Sequence, residues 1–153
     1  MQNFDKAPVA SGIYYYMNSY GYGVPSKKRG ARIFWGIDFP EEMSDGDIGK
    51  MTKLSKHLIH GNVIGEWRGG QRPWTIKEIG NVLGMERRGA LAFMARMRNV
   101  GMVERVGKDY VVNPVYFLRS NTRISKDLMM MFEDTIHSIM PDWAVKELRE
   151  RDD

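Results

Sequence analysis

The stretch WTIKEIGNVLGMERRGALAFMARMRNVGMVERVGKDYVVNP occupies residues 74–114, and its reading decides the fold. Thr75-Ile76-Lys77-Glu78 is a capping box: the hydroxyl and the carboxylate, three residues apart, each satisfy a free backbone N–H of a starting helix. Ile76, Ile79 and Leu83 then give that helix one apolar face. Gly84 permits a sharp turn. A second helix is expected over 86–99, with Ala90, Met94 and Met97 inward by i, i+4, i+7 spacing and Gly101 as its stop. Residues 103–106 and 110–112 are β-rich and flank the turn-forming Gly107-Lys108-Asp109, so they read as a short hairpin ended by Pro114.

Helix, tight turn, helix, hairpin is the layout of a winged helix-turn-helix. In that arrangement one helix crosses the DNA backbone and the second enters the major groove, where base edges carry the sequence code. The outward face of the second helix offers Arg87, Arg88, Leu91, Ala92 and Arg96. Arginine suits both tasks there, as a bidentate fork onto guanine or as a phosphate clamp. Thr75 and Lys77, at the start of the preceding helix, are candidate phosphate anchors. Arg105 and Lys108 lie where a wing would meet the backbone or the minor groove. Charge agrees with this placement. Residues 86–108 hold six basic and two acidic side chains, a balance of +4, which equals the formal charge of the whole chain. The excess is concentrated on the motif, and one further basic cluster, Lys27-Lys28-Arg29, is a candidate for additional phosphate contacts. The alternative is a winged helix used only for protein contacts, for example to bind a host polymerase or replication protein. The arginine face and basic wing, rather than the fold, favour DNA.

Outward from the motif, residues 1–30 read as a flexible segment rich in tyrosine and basic residues. Within it, 13–17 (IYYYM) is strand-like and 18–30 is a basic loop. Residues 31–39 form a second strand candidate, able to pair with 13–17. Ser44 is a good N-cap with Asp45 and Asp47 in the first turn, and Ile48, Met51, Leu54 and Leu58 continue at helical spacing until Gly61 and Asn62. A short strand is expected at 62–64 and a glycine-rich loop at 65–73. Ser125 opens an amphipathic helix aligned on Leu128, Phe132, Ile136 and Ile139, broken by Pro141. Asp142 caps a last helix whose charged end is expected to fray. The fold class is therefore α+β: an N-terminal β element, a winged-helix domain over 31–118, and a C-terminal helical extension over 119–153 that braces the domain or pairs two copies. Met129-Met130-Met131 lies on that extension. If its own domain leaves the helix uncovered, it is the candidate surface for a homodimer matching a two-fold operator.

Other chemistry finds little support. The chain has no cysteine, which excludes disulfides and thiolate metal sites and makes a reducing cytoplasm the default compartment. No signal-like start and no run of about 18 apolar residues occurs, so no membrane span is expected. His57 and His60 lie one turn apart, but a zinc site needs more ligands nearby, and His137 stands alone. Tyr14, Tyr15, Tyr16, Tyr20 and Tyr22 precede the basic cluster and could stack on single strands. Three adjacent tyrosines on a strand cannot all face one way, however, so packing is the plainer reading. No phosphate-binding loop, nucleophile elbow or dinucleotide fingerprint is present. No enzymatic activity, catalytic residue, metal or cofactor is expected.

Residues 75–105, with the junction Gly101-Met102-Val103-Glu104-Arg105, resemble the winged-helix domains of MarR-type bacterial regulators. A larger part, roughly 31–140, resembles the RepL-type plasmid and phage replication proteins. That resemblance is carried by residues 44–50 (SDGDIGK) with Leu54, by the central helices, and above all by residues 110–117 (YVVNPVYF). It implies recognition of double-stranded DNA at an origin or an operator, in replication initiation or transcription regulation, without an enzymatic step.

Overall fold

The computed structural model describes residues 30–34 and 36–150, together with the strand backbone of Tyr16–Met17 and Gly23–Val24. The expectations for Tyr14, Tyr15, Tyr20, Tyr22, Lys27, Lys28 and Arg29 lie outside the described residues. Within them the fold is mixed α+β, with six α-helices and a small antiparallel sheet.

The first helix, α1 (Asp45–Ser55), starts as its sequence dictates. The Ser44 hydroxyl accepts from the Asp47 N–H at 3.1 Å, and the Asp47 carboxylate accepts from the Ser44 N–H at 3.3 Å. Its end differs from expectation. Leu58 keeps the apolar phase of Leu54 but belongs to a strand, β4 (Leu58–Ile59), paired with β5 (Val63–Trp67) through Leu58↔Ile64 and Ile59↔Val63. A single 3-10 turn, His60–Asn62, joins them, with Gly61 at φ 78° and Asn62 at φ 63°. Only glycine, and next to it asparagine, enters that region at low cost. The buried Asn62 side chain then serves three partners. Its amide donates to the carbonyls of Val112 (2.6 Å) and Phe117 (2.8 Å), and its oxygen accepts from the Arg119 N–H (2.8 Å).

Residues 65–73, expected to be loop, instead continue β5 and form β6 (Gln71–Pro73), a hairpin with Gly65↔Pro73, Glu66↔Arg72 and Trp67↔Gln71 opposite one another. The elements α2 (Ile76–Leu83), α3 (Arg87–Asn99), β7 (Val103–Val106) and β8 (Asp109–Val112) follow. The strands lie in the order β4–β5–β8–β7, with β6 also on β5. The N-terminal strands correct a second expectation. Among the described residues, 31–39 do not pair with 16–17: β3 (Ala31–Arg32) pairs with β9 (Leu118–Arg119), while β1 (Tyr16–Met17) pairs with β2 (Gly23–Val24), which lies inside the segment read as loop.

At the C-terminus Ser125 caps α4 (Lys126–Met131), but the helix breaks at Phe132 (φ −116°, ψ 30°) and restarts as α5 (Glu133–Ile139). Pro141, rather than Asp142, occupies the cap position of α6 (Asp142–Leu148). As far as Glu150 the charged end is tied down: Ile124 donates to the Leu148 carbonyl at 2.7 Å, and Glu150 donates to the Ile124 carbonyl at 2.9 Å, while 151–153 lie outside the described residues. One hydrophobic cluster joins α1, α2, α3, the sheet and α4–α6, with Phe93, Met51, Leu54, Ile79, Met94, Met102 and Phe117 fully enclosed. Each such side chain stabilises the fold by roughly 1.5–3 kcal/mol. Among the described residues no helix is long and apolar enough to cross a membrane.

Candidate nucleic-acid interface

The candidate residues are carried by α2 and α3. Thr75 accepts from the Glu78 N–H at 3.2 Å, and Glu78 accepts from the Thr75 N–H at 2.9 Å, which completes the capping box of α2. Gly84, at φ 69°, ends the helix, and the Met85 N–H donates to the Gly80 carbonyl at 2.8 Å. A Cβ at Gly80 would stand 2.7 Å from the Met85 carbonyl oxygen, so the close turn between α2 and α3 requires glycine there.

Helical geometry then sets the face of α3. Ala90, Phe93, Met94 and Met97 are all fully buried, so at 100° per residue the opposite side is Arg88, Ala92, Ala95 and Asn99. All four are exposed. Arg87 is exposed at the first turn, and Leu91 is half-buried on one flank. The first turn of α3 holds no acidic residue, and its cap position, Glu86, makes no side-chain cap bond. Two arginines there oppose the helix dipole, at about 0.3–1 kcal/mol each. An anion brought to that end would relieve the conflict.

Three other sites named from sequence, Arg96, Thr75 and Arg105, are engaged within the fold. The Arg96 guanidinium pairs with Asp47 at 2.8 Å and lies 5.4 Å from the centre of the Phe93 ring, so it links α3 to α1 rather than projecting alone from the outward face. Burial pushes the Asp47 carboxyl up, but the Ser44 N–H and Arg96 outweigh it and hold the group below the usual carboxylate range. The Thr75 hydroxyl is engaged with Glu78. Lys77 is exposed. Arg98 pairs with Glu104 at 3.3 Å, joining α3 to β7. At the hairpin turn, Gly107 (φ 64°) provides the reversal, and the Arg105 Nε donates to its carbonyl at 3.0 Å, with the guanidinium 5.7 Å from the Tyr110 ring centre. Lys108 is exposed at the same turn.

Two groups of residues escaped the sequence reading. Ala95 and Asn99 complete the outward row of α3, and the 88, 92, 95, 99 spacing contains that signal. Arg68 opens the three-residue turn 68–70 of the β5–β6 hairpin and Arg72 lies just past it on β6, with Gly69-Gly70 as the turn signal in the sequence. His57 packs against Trp74, with ring centres 4.7 Å apart and planes tilted by 39°. Among the described residues no cluster of three His, Asp or Glu side chains is arranged to hold a metal ion.

Comparison of the chain with protein-family models, curated proteins and solved structures returned no match. The likeness to MarR-type and RepL-type proteins therefore stands on the motif residues alone.

Proposed function

We propose that this chain is a sequence-specific double-stranded DNA-binding protein of winged helix-turn-helix type. The observation that carries the reading is the exposed row Arg88, Ala92, Ala95 and Asn99 on α3, accompanied by exposed Arg87 at the helix start and by exposed Arg105 and Lys108 on the β7–β8 hairpin. Small alanines let a helix approach base edges closely. An arginine and an asparagine at the two ends of the row supply the forks that read guanine and adenine. Cations at the first turn and on the hairpin supply the phosphate contacts that fix register. The MarR-type and RepL-type resemblance makes an operator or a replication origin the natural target. Exposed Met130, Ile139 and Trp143 on α4, α5 and α6 favour an added protein contact by the C-terminal helices, either a second copy on a two-fold site or another protein.

Selection of bound duplexes from a random pool tests the reading. A short enriched motif is expected, and Arg88→Ala should weaken binding by about 1–3 kcal/mol while relaxing preference at one base position. A pool that yields no retained duplex would sink the proposal in favour of a pure protein-contact module.

A further inference from the structure

The β5–β6 hairpin carries two arginines that no part of the motif requires. Its direction follows from register. Val63 on β5 lies opposite Val111 on β8, and the two strands are antiparallel. β8 runs away from the turn at Gly107 and Lys108, so β5 runs toward it. The 68–70 turn therefore emerges at the same end of the sheet as the β7–β8 turn. Past Ile64, β6 follows the edge of β5 that β8 also uses: the Ile64 carbonyl accepts from the Trp74 N–H at 3.0 Å, while the Gly65 N–H donates the other way, to the His57 carbonyl at 2.7 Å on the β4 side.

The hairpin is also built to project. Past Gly65, β5 pairs with β6. Gln71, Arg72 and Pro73 are all exposed, as are Trp67 and Arg68. Arg68 meets Glu66 through Nε at 3.1 Å, a solvent-side contact that a phosphate can replace. The arginines also lie beside the start of α2. The Glu78 carboxyl is held below its ordinary range first by the Thr75 N–H, against some burial, and additionally by the charges of Arg72 and Arg68. α2 is the helix that crosses the backbone in the proposed binding mode.

We infer that the β5–β6 hairpin is a second duplex-contacting arm, in which Arg68 and Arg72 take backbone phosphates beyond those met by Arg105 and Lys108. This rests on the duplex-binding reading above. The test is equilibrium binding of the full chain to a fluorescein-labelled mixed-sequence duplex over a salt series, for the native sequence, for Arg68→Ala/Arg72→Ala and for Arg68→Lys/Arg72→Lys. The alanine pair should lower affinity at least roughly tenfold near 0.1 M salt and reduce the slope of log K against log salt by about 2, since each phosphate contact contributes about 0.9. The lysine pair should keep the native slope, because counterion release depends on charge. Native binding with an unchanged slope in the alanine pair overturns the second arm and leaves the α3 reading intact. A slope lost equally in both pairs assigns the arginines to holding the hairpin and also overturns it. A native chain that binds no duplex at low salt overturns both readings.

Discussion

The two hairpins of the central sheet point the same way but are held differently. The β7–β8 hairpin has four paired positions, and Tyr110, Val111 and Val112 on its inner strand are buried in the main cluster. It is an extension of the core. The β5–β6 hairpin has three paired positions, and β6 is exposed along its whole length. Only its root, at Ile64 and Gly65, is buried. The first hairpin therefore inherits its rigidity from packing, whereas the second depends on a few backbone contacts at one end. An arm fixed by the core suits a defined contact, and an arm fixed only at its root can adapt to the phosphate it meets.

Substitutions break that contrast to different degrees. Asn62→Ala should have the largest effect. Asn62 joins the root of β5 to Val112, Phe117 and Arg119, and its loss leaves buried backbone groups unpaired at a positive φ. About 4 kcal/mol of stability should be lost, read by denaturant unfolding, with both hairpins loosened. Gly65→Ala should act on the second hairpin alone. The added Cβ would stand 2.5 Å from the Arg72 carbonyl oxygen and 2.9 Å from Ile59 Cδ1, so about 2 kcal/mol should be lost, with amide exchange accelerating in β6 before β7.

Acid should unfasten the caps next. Asp47 and Glu78 both have folded-state pKa values below their ordinary ones. The stability they contribute is complete above the ordinary carboxylate range, about pH 4–4.5, and is lost as pH falls through the lower folded values. The thermal midpoint should accordingly be level near neutrality and fall in acid, and Asp47→Asn with Glu78→Gln should flatten that fall. The smallest structural effect belongs to Lys108→Ala, a solvent position. Stability should stay within about 0.5 kcal/mol, while the salt slope of duplex binding drops by about 1.

Much of this layout is legible in the sequence because its signals are local. The caps at Ser44, Thr75 and Ser125, the turn at Gly84 and the inward row of α3 each need only neighbours within a few residues. What escaped depends on distant partners. Leu58 fits the helical phase of Leu54, yet the chain turns at His57 because β4 has β5 to pair with. The 65–73 segment resembles loop by its glycines, but Gly65 is there for want of room against Arg72 and Pro73. β3 finds β9 across almost the whole domain, and Phe132 interrupts a helix with neither proline nor glycine beside it. Within the candidate interface, Arg88 and Arg96 are equivalent by residue type, two turns apart on one helix. Only the fold brings Asp47 against Arg96 and leaves Arg88 on the exposed row.

The most direct measurement is a salt titration of duplex binding by the intact chain. Contacts from Lys77, Arg87, Arg105 and Lys108, with Arg68 and Arg72 on the second arm, predict tight binding at low salt and a slope of log K against log salt near −5. Arg88→Ala should weaken binding without changing that slope. Absence of duplex binding at low salt, or binding whose affinity does not change with salt, would contradict DNA recognition through α3 and its flanking hairpins.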